Sequence, residues 1–128
     1  MANWTVEADT DDDRLYITLE GHFEADEAAR AADEVIETVE RFDGAFEVVN
    51  DLSGFQPGDQ DAMKHIQRAK TATSDAGMVA SVRVMAESTT GQMQFERAGG
   101  DEEDYAVAMA DSVEQAEKLL DKRREEAR

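Results

Sequence analysis

Two short segments alternate apolar and polar residues with a period of two, Trp4/Val6/Ala8 and Leu15/Ile17/Leu19, and just beyond Gly21 that period gives way to a helical one. A chain that switches period in this way must lay helices against a sheet, because each pattern leaves one apolar face to be covered. The acidic turn at residues 9–13 joins the first two strands into a hairpin. From Glu24 to Phe42, Ala25, Ala28, Ala29, Ala32, Val35, Ile36, Val39 and Phe42 form the helical stripe, and Asp43-Gly44 stops it.

The same exchange continues downstream. Residues 45–52 are a mostly apolar, β-branched run suited to a buried central strand. Residues 59–75 give a second helix with Ala62, Met63, Ile66, Ala69 and Thr73 inward, and residues 79–86 a further strand. A weaker helix is predicted over residues 88–98 and a last strand over 105–110. Ser112-Val113-Glu114-Gln115 then opens a final helix as a capping box. The predicted order ββαβαβαβα implies one α/β domain over residues 1–128. Its single, mostly parallel sheet of about five strands has one antiparallel strand. The core is expected over about residues 3–121, with a frayed tail from 122 to 128.

Charge narrows the setting. Thirty-one acidic residues against thirteen basic ones give a net charge of −18. That much like charge opposes compaction in ordinary buffer. It becomes tolerable near molar salt, where the Debye length falls to ~3 Å. The expected setting is the cytosol of a salt-accumulating halophile. The absence of a basic patch argues against nucleic acid as a partner. No apolar stretch approaches the ~20 residues of a membrane span, and the N-terminus lacks the marks of a secretory signal. A cytoplasmic location is therefore expected. With no cysteine there is neither a disulfide nor a thiolate ligand. No cofactor and no metal is expected, since the acidic runs at 9–13 and 101–104 lack the spacing of a calcium loop.

Asn50-Asp51-Leu52-Ser53-Gly54-Phe55 leaves the central strand in a chain of this element order. The combination resembles the STAS superfamily, the sulfate-transporter and anti-sigma-factor-antagonist domains, and in particular its SpoIIAA-like branch. The likeness covers about residues 3–121, as topology and one short motif. Asp51-Leu52-Ser53 matches the antagonists' Asp-Leu-Ser stretch. Their next turn, Asp-Ser-Ser/Thr-Gly, reads Asp59-Gln60-Asp61-Ala62 here, so Gln60 stands where the phosphorylated serine would be. The resemblance thus implies an acidic, haloarchaeal-type member without the phosphoserine switch, a non-enzymatic module that docks a partner or holds a small or lipid-like ligand.

Open parallel sheets bind ligands beyond the carboxyl ends of their strands. That edge collects His22 and residues 50–60, and the candidate partner- or ligand-binding residues are Asp51, Ser53, Gly54, Phe55, Gln60 and His22. Phe55, between polar neighbours, is the expected anchor of a loop that docks a protein partner. The plainer alternatives are that Asp51 and Ser53 satisfy local backbone groups and that Phe55 folds back over the core. Ser53 lacks the elbow of a serine hydrolase, and no catalytic residue is assigned. A second expectation, from a different class, is a carrier whose pocket lies between the sheet and the second or third helix. Methionines suit such pockets. A homodimer stays open.

Overall fold

In a computed structural model of the protein, residues 2–57, 60–85, 96–97 and 106–126 are described. They form β1 (Asn3–Asp9), β2 (Arg14–Phe23), α1 (Ala25–Val39), β3 (Phe46–Pro57), α2 (Gln60–Asp75), β4 (Met78–Val84), β5 (Glu96–Arg97), β6 (Ala106–Ala110) and α3 (Val113–Glu126). All strands join one sheet in the order β1-β2-β3-β4-β6-β5. Strands β2, β3, β4 and β6 run parallel to one another, and β1 lies antiparallel to β2. The α/β character and the mostly parallel sheet agree with the sequence.

Two details of the order differ. A second antiparallel strand, the two-residue β5, pairs with β6. Glu96 and Arg97 belong to it, so the helix expected over 88–98 does not extend through them. The rest of that segment lies outside the described residues. The helical stripe there is weak, whereas the free edge of β6 offers unpaired backbone donors and acceptors to any extended neighbour.

The hairpin follows from its turn chemistry. Asp12 N–H donates to Asp9 Oδ1 at 3.1 Å, and Asp13 takes a left-handed φ of 54°, which aspartate tolerates. Period-two alternation then sends Leu15, Ile17 and Leu19 into the core. Helices α1 and α2 cover this face of the sheet, and α3 covers Val49, Ala80, Val82, Val84, Ala108 and Ala110 on the other. Trp4 fastens β1 to α1, its indole N–H donating to Glu34 Oε2 at 2.7 Å.

The buried stripe of α1 comprises Ala28, Ala31, Ala32, Val35, Thr38 and Val39. It is turned relative to the expected one: Ala31 and Thr38 are inside, and Ile36 is only half-buried. Alanines fill both sides of the stripe and leave the rotation to the neighbours. Arg68 of α2 also reaches Asp33 Oδ1 on the exposed side of α1, at 2.9 Å. The Thr38 hydroxyl is satisfied by Glu34 O at 2.6 Å, the back-bond usual for a helical threonine.

Gly77 closes α2 at φ 120°, where a Cβ would sit 3.2 Å from Gly44 O. That conformation and that space both call for glycine. At the start of α3, Gln115 N–H donates to Ser112 Oγ at 3.1 Å, while Gln115 Oε1 accepts from Asp111 N–H at 2.8 Å. The box is therefore displaced by one residue from its usual reciprocal form. The tail expected to fray is helical through Glu126, because Arg124 is tied to the body of the domain.

Candidate functional site

The segment after the central strand is itself strand. β3 continues to Pro57, with His22 opposite Gln56 and Gly21 opposite Phe55 in β2. The register shifts between Thr18/Asp51 and Glu20/Gly54, so Leu52 and Ser53 together face Leu19. This is a bulge, and Asp51 and Ser53 build it. Asp51 Oδ1 accepts from both Ser53 N–H, at 3.2 Å, and Ser53 Oγ, at 2.7 Å.

The six predicted residues therefore have different surroundings. Asp51 and Ser53 are brought together in the bulge, while His22 is exposed on β2 and Gln60 is exposed at the first turn of α2. A Cβ on Gly54 would touch Glu20 Cγ at 3.5 Å, an ordinary contact, so close approach does not require the glycine. Phe55 packs on the core. Its ring meets Phe23 edge-on with centroids 5.5 Å apart, and Phe23 in turn lies 5.9 Å from Trp4. The exposed anchor is thus a half-buried wall residue, because β3 stays in the sheet and turns Phe55 toward the aromatic cluster.

The space that Phe55 borders is a cavity of about 260 Å³ between the sheet and helices α1 and α2. Ile17, Leu19 and Val48 form its floor, Ala31, Ala32 and Val35 its α1 wall, and Met63, Ile66, Ala69 and Thr73 its α2 wall. Small residues at Ala31, Ala32 and Ala69 leave the room, since an alanine on a facing helix fills less than the leucines opposite it. Met63 is 44% exposed at the mouth, and Met78 lines the cavity as well.

Polar groups reach the cavity from one side. Asn50, Ser81 and Arg83 lie on β3 and β4, with Asn50 opposite Arg83 in the register. Asn50 Nδ2 donates to Ser81 Oγ at 2.9 Å. Gln67 and Lys70 approach from α2. Sequence reasoning placed a pocket under the second or third helix, took Ala62, Met63, Ile66, Ala69 and Thr73 as the inward face of α2, of which Met63 is exposed, and included Asn50 in the crevice. Arg83, Ser81 and Lys70 were missed, because an alternating strand and a solvated helix give them no signal until β4 is set beside β3.

On the opposite face lies a buried ion cluster. Glu47 Oε1 accepts from Arg14 Nη2 at 2.9 Å and Arg14 Nε at 3.2 Å, and it pairs with Arg124 Nη2 at 2.8 Å. Arg14 also reaches Asp121 Oδ1 at 3.1 Å, and Arg124 reaches Asp12 Oδ1 at 2.8 Å. Burial alone disfavours the Arg14 cation, but hydrogen bonds to Glu47, Asp121 and Tyr16 outweigh it and raise its pKa. Burial and a 2.8 Å hydrogen bond to Glu117 push the Tyr16 phenol up. The charges here pair with one another around a packed helix, which makes the cluster a structural joint.

Among the described residues, Glu24, Asp26 and Glu27 form the one group of three carboxylates close enough to share a cation. They occupy the start of α1, where acidic side chains complement the helix dipole. No described helix is long and apolar enough to cross a membrane. Comparison of the chain with protein-family models and with curated proteins finds no match.

Proposed function

We propose that the protein is a non-enzymatic binding module that holds a small, largely apolar ligand in the cavity between the sheet and helices α1 and α2, in a high-salt cytosol. The observation that carries this is the cavity itself, about 260 Å³ with an apolar floor and two apolar walls. At about 260 Å³ it falls just below the roughly 300–1,000 Å³ of drug-sized ligand pockets, which are likewise mostly apolar with a few convergent polar groups. Well-packed interiors seldom leave such space unfilled, since voids larger than a water are few. The STAS-like reading stays with this proposal. The run β1-β2-β3-β4-β6, with its antiparallel first strand, supports it, as does Asp51-Leu52-Ser53.

A protein partner docked beyond the central strand would need Phe55 as its anchor. The ring is already engaged by Phe23 and the cavity, so the carrier function is favoured. Titration with a neutral solvatochromic dye in molar KCl tests it. Saturable one-to-one binding is expected, with loss of binding in Ala69→Leu or, should that variant fold poorly, Ala32→Leu. Both substitutions fill the cavity from its walls. A folded wild-type protein that does not bind the dye, or folded filled variants that bind it equally well, would overturn the proposal.

A further inference from the structure

Acidic residues make up 31 of the 128 in this chain, yet among the described residues no Asp or Glu lines the cavity. Two cations do, Arg83 from the sheet and Lys70 from α2. Six other described cations, Arg14, Arg30, Lys64, Arg68, Lys118 and Arg124, sit in ion pairs. Arg83 and Lys70 have none among the described residues. Arg41, Lys122 and Arg123 share that condition but lie away from the cavity. Among the described residues, neither cavity cation is paired with a carboxylate, although the chain is rich in them.

A buried donor stands beside them. Ser81 is 5% exposed, and its Oγ accepts from Asn50 Nδ2. No hydrogen bond of the described residues uses the Ser81 hydroxyl proton. A serine hydroxyl carries one donor besides its acceptor sites. Arg83 lies two residues along the same strand, on the same face. The polar part of the cavity therefore presents an O–H and a guanidinium from the sheet, beside the apolar floor, and an ammonium from α2, all of them donors.

We propose that the ligand is an anionic amphiphile, a medium-length apolar chain ending in a carboxylate or phosphate, with Arg83, Lys70 and Ser81 as the groups that take the head. This rests on the cavity being a ligand site. The chain length follows from the volume. At about the 30 Å³ that a water occupies in the liquid, the cavity takes on the order of nine methylene-sized groups. The head requires positive charge and donors, which only the side bearing Asn50, Ser81 and Arg83 supplies together with Lys70. Arginine suits either head because its planar fork matches both carboxylate and phosphate oxygens.

Calorimetric titration of the full chain in molar KCl with octanoate, octyl phosphate, octanol and octylammonium tests this. One of the two anions should bind about tenfold or more tightly than octanol, the gain expected of hydrogen bonds to a charged group, and octylammonium should bind most weakly. The tighter of octanoate and octyl phosphate identifies the head. Arg83→Gln and Lys70→Gln, both at positions that reach solvent, should bring the anion's affinity down toward that of octanol and leave octanol itself unchanged. Equal binding of octanol and both anions would overturn the anionic head while the cavity remains a ligand site. Failure of all four probes, together with failure of the neutral dye, would overturn the cavity as well. Undiminished anion binding in both Gln variants would remove Arg83 and Lys70 from the site.

Discussion

Arg124, near the end of the last helix, places its Nη2 2.8 Å from Oε1 of Glu47, at the start of the central strand. Glu47 is almost wholly buried, its side chain 4% exposed, and Arg14 shares the same oxygen. Removing a carboxylate that two cations depend on leaves charge buried without a partner, which typically costs 3–5 kcal/mol, whereas the intact pair contributes far less than that. Glu47→Gln should therefore destabilise the fold by about 3–5 kcal/mol in urea unfolding. Arg124→Ala, at a side chain one-third exposed, should cost less, on the order of 1–3 kcal/mol. A neutral Arg124→Ala would mean that the end of α3 is not fastened to the domain.

The same cluster sets a dependence on pH. The hydrogen bond from Arg124 holds the Asp12 carboxyl below its ordinary value of 3.8, against a smaller opposing effect of burial and with help from the charge of Arg14. A depressed pKa in the folded state means that the folded form favours the carboxylate. The resulting stability is complete above the unfolded value and is lost as pH falls through the folded one. The stability difference between wild type and Asp12→Asn should be constant from neutral pH to about pH 5 and shrink below about pH 4. Urea melts across that range would show it. A difference that grows on acidification would contradict the sign.

Fold class was legible because periodicity is a local signal: Leu15/Ile17/Leu19 and the α1 stripe each announce their element without help from the rest of the chain. The rotation of α1 was not legible, because alanine at 25, 28, 29, 31 and 32 leaves the stripe edges undefined and the packing against the sheet and α2 decides them. Residues 54–57 invite a loop assignment through Gly54 and Pro57. They remain strand because the bulge at Leu52 and Ser53 restores pairing with β2. Arg14 and Glu47 look like polar faces of strands in the sequence. Only the parallel register that sets them side by side, with α3 laid across them, makes them a buried pair. The cavity needed the same kind of information: which alanines face which leucines.

Salt should stabilise the domain. Asp26, Asp33, Glu34, Glu37 and Glu40 are all exposed on or just beyond α1, and at low ionic strength their repulsion reaches across the helix. Screening removes it, while the buried pairs around Glu47 are screened much less. The melting temperature should rise steadily from about 0.1 to 3 M KCl. A flat or falling trend would remove the high-salt setting.

Adjacent residues on α1 should respond to truncation by unequal amounts. Val35 is 4% exposed within the core, so Val35→Ala removes two buried carbons and should cost about 2 kcal/mol at ~0.8 per group plus a cavity contribution. Ile36 is half-buried and outside the core cluster, so Ile36→Ala should cost less than about 1 kcal/mol although more carbon is removed. Chemical denaturation of the two variants compares them directly. The reverse ranking would put the helix in the rotation suggested by its sequence stripe.

Phe55 separates a lid from an anchor. As a projecting anchor it would give up a partner on truncation and leave the melting temperature nearly unchanged. Its position predicts otherwise. The ring is half-buried, lies edge-on to Phe23 at 5.5 Å and borders the cavity. An edge-on aromatic pair contributes about 0.5–1.5 kcal/mol beyond the area it buries. Phe55→Ala should thus destabilise by about 1–3 kcal/mol, below the 3–5 kcal/mol of a fully buried phenylalanine, and should weaken binding of the neutral dye by opening the cavity wall. Phe55→Leu retains apolar bulk but not the ring pair, so it should recover most of the dye binding and only part of the stability. Thermal melts and dye titration on the same two variants distinguish the roles. A Phe55→Ala protein that melts like wild type would show that the ring projects away from Phe23, and the wall of the cavity would have to be redrawn without it.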